Sequence, residues 1–190
     1  MINQIQYNFD EVIDRTNTHA EKYDALKRFY GTDGVEPFWV ADMDLASPNF
    51  LVDKLIYRVK HSIFGYTEKS PELFESIEWW MKNEHNLDIN KSTIGLSPSV
   101  VSTLCMTIQS FSNVGDSIVT FSPVYGPFFS SVKSHKRNLI DLPLMINNGK
   151  FQVPFDRLES ILKKNDVKLL LLCNPHKPGG RVWSKDELLK

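Results

Sequence analysis

The segment at residues 167–184 constrains the fold of this 190-residue chain more than any other. A run rich in apolar residues at 167–173 leads into a loop at 174–183 that contains two prolines and two glycines, and Ser184 follows. Ser184 and Glu187 have the spacing of a capping box, which predicts that a helix begins at Ser184. A strand, a constrained loop and a helix in this order are typical of an α/β protein with a site at the carboxyl end of a parallel strand.

The chain alternates between strand and helix patterns from residue 92 onward. A helix is predicted to begin near Val100, and Asp156 and Glu159 have the spacing of a second capping box. The Asn-Asn-Gly sequence at 147–149 predicts a turn. Such alternation predicts an α/β fold with a largely parallel, doubly wound sheet. Its predicted strands are residues 94–96, 117–121, 137–146 and 167–173.

The earlier part of the chain has a different character. Residues 1–46 have weak periodicity and many polar side chains, which predicts an N-terminal arm or small-domain segment. Residues 47–190 are predicted to form part of a larger domain. This domain opens with Ser47 and Pro48, a favourable N-cap and N1 pair for a helix.

Composition and charge exclude several classes of function. The formal net charge of −1 provides no basic surface for a nucleic acid partner. No apolar run approaches the roughly 20 residues that span a bilayer, and the N-terminus does not resemble a signal peptide. The two cysteines, Cys105 and Cys173, are expected to be reduced, which favours a cytoplasmic location. Asp42 and Asp44 suggest metal or acid–base chemistry, with capping and turn roles as the alternative, and no metal-ligand spacing surrounds them.

Three loops next to predicted strands could form a binding site. Ser99 opens a helix whose free N–H groups would bind a phosphate, although most helices that begin this way bind nothing. Tyr125 lies between two prolines and offers a rigid surface for a flat ligand, or it covers the sheet edge. In the third loop, His176 is expected to be solvated, with acid–base chemistry as the alternative.

These segments, in this order, resemble the fold-type I pyridoxal-5′-phosphate enzymes, and most of all the cystathionine β-lyase (C–S lyase) subgroup of the class I/II aminotransferases. The resemblance covers nearly the whole chain. It implies a three-layer α/β/α domain with a mainly parallel sheet, of which this chain would be the N-terminal half. The segments that carry it are Phe-Trp-Val-Ala-Asp-Met-Asp at 38–44, Phe-Gly-Tyr-Thr at 64–67, Pro-Ser-Val-Val at 98–101, Ser-Pro-Val-Tyr at 122–125 and residues 174–183.

The resemblance also implies roles for individual residues. Backbone groups near the start of a helix would hold the cofactor phosphate, and Tyr125 would stack on the pyridine ring. Tyr66 would reach the phosphate in a neighbouring subunit, which requires a homodimer. The substrate would be a small sulfur-containing amino acid, cleaved to pyruvate, ammonia and a thiol. The implied cofactor-binding residues are Ser99, Val100, Val101, Tyr125, Lys177 and Tyr66, and the implied substrate-binding residues are Val40 and Ala41.

Two departures from the family pattern affect activity. The family's asparagine that hydrogen-bonds the phenolic oxygen of the cofactor is replaced here by Lys177, and Asn174 lies three residues too early to take its place. The family's Schiff-base lysine, its pyridine-pairing aspartate and its substrate-binding arginine would all follow Lys190. We therefore expect no catalytic residue in this chain and no activity from the chain alone. A non-catalytic homologue and a parent aminotransferase are the alternatives.

Overall fold

The structure is a computed structural model that describes residues 7–190. The chain forms two compact units, Met1–Ser70 and Pro71–Lys190. This division follows the packing of the chain, and the domain boundary expected after residue 46 stays a prediction. Among residues 7–190, no helix is both long enough and apolar enough to cross a membrane.

Within residues 7–70, the first unit contains three helices: α1 (Glu21–Asp24), α2 (Leu26–Tyr30) and α3 (Asn49–Lys60). The α2 helix ends at Tyr30 and is capped by Gly31, whose positive φ of 75° suits glycine. The α3 helix begins one residue later than predicted, because the Pro48 carbonyl accepts from the N–H groups of Leu51 and Val52 and so makes Pro48 the N-cap. No side chain caps this helix, and none of its residues is buried.

The second unit contains the remaining elements. Its helices are α4 (Pro71–His85), α5 (Val100–Phe111), α6 (Pro127–Ser134), α7 (Phe155–Lys164) and α8 (Lys185–Leu189), with a 3-10 turn at Lys91–Thr93. Its strands are β1 (Ser117–Ser122), β2 (Asn138–Pro143), β3 (Met145–Asn147), β4 (Lys150–Gln152) and β5 (Val167–Leu171).

A parallel three-stranded sheet lies at the centre of the second unit, in the order β2-β1-β5. Successive residues of β1 point to opposite faces, so Ile118 and Val119 enter different apolar clusters. Residues of α5 and α6 pack on the Ile118 side, and residues of α7 pack on the Val119 side. The predicted α/β fold with a parallel sheet between helices is therefore confirmed.

Arg137 fixes the end of α5 to the start of β2. Its guanidinium donates to the Ser112 carbonyl at 2.5 Å and to the Ser112 hydroxyl at 2.9 Å. A cation at this end of a helix satisfies carbonyls that have no partner in the helix and complements the helix dipole. The spacing of apolar residues gave no indication of this contact.

Three predictions about local structure were wrong. Residues 94–96 form no strand, and the glycine at their centre is a residue that strands disfavour. The predicted strand at 137–146 is two strands, β2 and β3, which are separated at Leu144. The Leu144 N–H donates to the Ser122 carbonyl at 2.8 Å as the last bond between β1 and β2, so the parallel pairing ends there. The α7 helix has Pro154 as its N-cap, so Asp156 lies in the first turn and forms no capping box.

Two other local predictions are confirmed. The turn at 147–149 joins β3 to β4, and Asn148 and Gly149 both have positive φ, as a tight hairpin turn requires. Ser184 caps α8 in a complete capping box with Glu187.

Candidate functional site

The first component of the candidate site is the start of α5. The Ser99 hydroxyl accepts from the Ser102 N–H at 3.1 Å, and the Ser99 carbonyl accepts from the Thr103 N–H at 3.0 Å. Val100 and Val101 occupy the first two helical positions, where a backbone N–H has no partner within the helix. The first turn contains no acidic residue. Two N–H groups and the positive helix end are therefore free to meet an anion.

This helix end lies toward the carboxyl ends of the strands. The α5 helix packs on the sheet through Ile108, and residues 112–116 join its last turn directly to the start of β1. The helix therefore runs opposite to β1, and Ser99 lies on the side of the sheet where β1 and β5 end. In parallel α/β proteins, ligands bind at this edge.

The second component is a pair of loops that follow β1 and β5 and are joined by two hydrogen bonds. The Tyr125 N–H donates to the Lys177 carbonyl at 2.9 Å. In the other direction, the His176 Nε2 lies 2.8 Å from the Pro123 carbonyl oxygen, so Nε2 carries the proton and donates. We call these four residues, Pro123, Tyr125, His176 and Lys177, the loop clamp.

His176 is buried, contrary to the expectation that it is solvated. Only 2% of its surface is exposed, and its ring lies edge-on to Trp183 with the centroids 5.5 Å apart. Its Nδ1 has no hydrogen-bond partner among the described residues. The prediction failed because Gly179 permits close packing over the ring: a Cβ at Gly179 would lie 2.6 Å from His176 Cδ2 and 2.9 Å from Phe151 Cδ2. His176 is therefore a structural part of the clamp.

Trp183 packs against the His176 ring of the loop clamp. It is 3% exposed, and its indole Nε1–H donates to the Cys173 carbonyl at 2.9 Å. Its backbone N–H donates to the Asn174 side chain at 3.2 Å, so Asn174 closes the loop on itself. Arg181 lies over the Trp183 ring, 4.1 Å from the centroid, and pairs with Glu187 of α8. Hydrogen bonds from the Ser184 backbone and from Arg181 lower the pKa of Glu187, which keeps it ionised.

Lys177 and Tyr125 also meet through their side chains. The Lys177 ammonium lies 4.4 Å from the centroid of the Tyr125 ring, which is a cation–π contact. Both residues are exposed, and among residues 7–190 no carboxylate pairs with Lys177. The clamp thus presents an aromatic face and an unpaired positive charge to solvent.

The first unit holds the other predicted positions. Asp42 and Asp44 form ion pairs with Arg15, and Asp44 also pairs with Lys22. Hydrogen bonds from Lys22 and then Arg15 lower the pKa of Asp44 to about 2, and Arg15 lowers the pKa of Asp42. Both are therefore ionised near neutral pH and held in ion pairs, which does not suit a proton donor. We call residues 42–44 the acidic loop.

The remaining predicted residues lie beside this loop or later in the first unit. Val40 is half-buried and Ala41 is exposed just before the acidic loop, and Tyr66 is fully exposed. Among the described residues, no group of three or more His, Cys, Asp or Glu side chains could hold a metal ion.

Comparison with known proteins identifies the family. The model of the family described as aminotransferase class I and II matches residues 51–190. The chain belongs to this family. Its curated relatives include cystathionine beta-lyase PatB of Bacillus subtilis, 38% identical over 96% of this chain and 47% of that protein. Protein MalY of Escherichia coli is 30% identical over the same shares.

Several solved structures also superpose closely on this chain. Cystalysin from Treponema denticola, which contains a pyridoxal 5′-phosphate cofactor, is 33% identical with a TM-score of 0.89, over 97% of this chain and 48% of that chain. The C-S lyase from Staphylococcus hominis, bound to the same cofactor, is 29% identical with a TM-score of 0.88, over 97% and 47%. The chain spans about half the length of the relatives that it matches.

Proposed function

We propose that this chain forms the phosphate- and ring-binding part of a pyridoxal 5′-phosphate-dependent C–S β-lyase that cleaves a cysteine S-conjugate to pyruvate, ammonia and a thiol. The observation that carries the proposal is the position of the free helix end at Val100 and the exposed Tyr125 ring on the same edge of the sheet. The similarity to cystalysin and to PatB supports the choice of cofactor and reaction.

The residues present fit the phosphate group. Val100 and Val101 offer backbone N–H groups, and Ser99 holds the helix start in place through its hydroxyl. Because the first turn of α5 has no carboxylate, nothing there repels a dianion.

The residues present also fit the ring. Tyr125 is anchored by the loop clamp, while the residue remains 38% exposed and can stack on a flat heterocycle. Lys177 would then lie beside the cofactor ring, in the position where the family carries a neutral asparagine. When bound, the cofactor withdraws electrons from the amino acid, so the proton on Cα becomes acidic and the β-thiolate can leave.

Substrate and partner positions follow from the same proposal. Val40 and Ala41 would lie against the substrate carboxylate, and Tyr66 would contact the cofactor phosphate in a second copy of the protein, as a homodimer requires. The complete exposure of Tyr66 in this chain leaves it free for such a contact. None of these residues would move a proton, so we assign binding roles to them and no catalytic role.

The phosphate-binding role is tested by changing Val100 to proline. Proline suits the first helical position and removes one free N–H, and Ser99 before it is already extended, with φ −164° and ψ 164°. Loss of one hydrogen bond to a charged group should weaken binding of pyridoxal phosphate about ten- to a hundredfold while α5 stays folded. Val100→Ala, which keeps the N–H, is the control. Equal affinity in both variants would refute the phosphate site.

A second experiment tests the stacking role and the reaction. Tyr125→Ala should weaken binding of pyridoxal phosphate about tenfold, and Tyr125→Phe, which keeps the ring, should not. The longest polypeptide that the gene encodes should release pyruvate from L-cystathionine without a keto-acid acceptor. Aminotransferase activity is the second candidate, supported by 39% identity to a putative aminotransferase from Clostridium difficile 630. A reaction that requires a keto acid would favour that candidate.

A further inference from the structure

Lys177 is the cation that the loop clamp leaves without a counterion. Its ammonium contacts the Tyr125 ring at 4.4 Å, and its backbone carbonyl accepts from the Tyr125 N–H at 2.9 Å. The helix that follows this loop carries Asp186 and Glu187. Glu187 is already paired with Arg181, and neither carboxylate forms an ion pair with Lys177. An ammonium held against a ring face without a carboxylate is a ready partner for an anionic ligand.

The backbone bond ensures that any ligand on Tyr125 meets Lys177. A flat ring cannot occupy the face of Tyr125 that the ammonium covers while the ammonium stays in place. The ammonium then moves to the rim of the ligand, or the ligand takes the other face. Because the main chains of Tyr125 and Lys177 are hydrogen-bonded, the flexible lysine side chain reaches the ligand rim in both cases.

We infer that Tyr125 and Lys177 together form a subsite for an aromatic ring that carries an ionisable hydroxyl group, with Lys177 holding that oxygen in its ionised form. The inference rests on the proposed function, because the pyridine ring of pyridoxal phosphate carries such a hydroxyl. A neutral amide at this position could donate a hydrogen bond, but it would add no net positive charge. The lysine therefore makes the electrostatics of this site differ from those of a site with asparagine.

Few other charges face Lys177. Its backbone N–H donates to the Cys173 thiol at 3.4 Å, and the neighbouring His176 donates its Nε2–H to the Pro123 carbonyl. The Lys177 ammonium contacts the ring of Tyr125, whose hydroxyl is a further titratable group. None of these is a carboxylate, so the ammonium sets the sign of the local potential. An opposite charge at about 4–6 Å lowers the pKa of an acidic group by about 1–3 units.

The test uses pyridoxine 5′-phosphate, which has the ring hydroxyl and the phosphate but no aldehyde, so that it cannot bond covalently to a lysine. Absorbance of the bound probe is followed against pH to find the midpoint of hydroxyl ionisation. Lys177→Met and Lys177→Asn should each raise the midpoint by about one pH unit or more, and Lys177→Arg should leave it within about half a unit of the unmodified chain. Lys164→Met, which removes an exposed lysine on α7, is the matched control.

The outcomes separate the inference from the proposed function. Binding of the probe with the same midpoint in the methionine, asparagine and unmodified chains would overturn the role of Lys177 and leave the cofactor site intact. No binding of the probe to the unmodified chain would instead overturn the proposed function and this inference with it. Far-UV circular dichroism shows that each variant is folded before its midpoint is compared.

Discussion

The loop clamp and the acidic loop are each held by polar contacts, but the contacts differ in burial and charge. The clamp depends on uncharged hydrogen bonds around His176 and Trp183, which are 2% and 3% exposed. The acidic loop depends on ion pairs from Arg15 and Lys22 to carboxylates whose side chains are 41% exposed. Packing should therefore govern the clamp, while pH and salt should govern the acidic loop.

Removal of the Trp183 side chain should give the largest loss of stability and so tests whether packing governs the loop clamp. Trp183→Ala deletes a buried aromatic side chain and its bond to the Cys173 carbonyl, and we expect about 3–5 kcal/mol of lost stability. Urea unfolding followed by far-UV circular dichroism measures the loss. Val182→Ala, at a neighbouring residue that is 65% exposed, should change stability by less than about 0.5 kcal/mol. A small effect of Trp183→Ala would show that packing does not govern the clamp.

A methyl group at Gly179 should have the next largest effect. Gly179→Ala places a Cβ against His176 and Phe151, and we expect a loss of about 1–3 kcal/mol together with weaker binding of pyridoxal phosphate. Gly65→Ala is the control, because its Cβ would meet nothing within 4 Å. Unchanged unfolding of the Gly179 variant would mean that the loop over His176 yields easily, and that the clamp is less rigid than its contacts indicate.

Acid should weaken the ion pairs of the acidic loop, and the loss of stability should be smaller than in the two variants above. The pKa of Asp44 falls from 3.8 to about 2 in the folded chain, so its ion pairs add stability above pH 3.8 that is lost as the pH falls toward 2. The chemical shift of the Trp39 indole N–H, which donates to the Lys22 carbonyl at 3.0 Å, should report the change. Asp44→Asn should reduce this pH dependence to the part that Asp42 contributes, and Asp33→Asn, at an exposed carboxylate, should leave it unchanged. Identical titrations in the two variants would contradict the role of Asp44.

Local signals in the sequence were enough for much of the fold. The strands predicted at 117–121 and 167–173 form at 117–122 and 167–171. The helix starts near Ser99 and at Ser184 were also predicted, because apolar runs and caps depend on neighbouring residues. The strand predicted at 94–96 was wrong, because a strand requires a neighbouring strand to pair with, and a sequence pattern does not reveal that neighbour.

The site was predictable only in part for the same reason. Tyr125 and Lys177 were candidates as separate loop residues, but their hydrogen bond and ring contact join segments far apart in the chain. The burial of His176 depends on the approach of Phe151 from the β3–β4 hairpin, which Gly179 permits. The pairing of Arg15 and Lys22 with Asp42 and Asp44 is equally distant in sequence. Such contacts depend on tertiary structure and leave no periodic signal.

The strand order β2-β1-β5 also implies an order of events during synthesis on the ribosome. Strand β1 pairs at Ser117 with Asn138 of β2 and with Val167 of β5, so the first pairing closes a much shorter stretch of chain. The longer closure costs about 0.8 kcal/mol more in chain entropy. We expect β1 and β2 to pair while β5 is still being made. Tyr125 would then leave the ribosome early, but it would form its contacts in the loop clamp only after His176 and Lys177 have also left the ribosome.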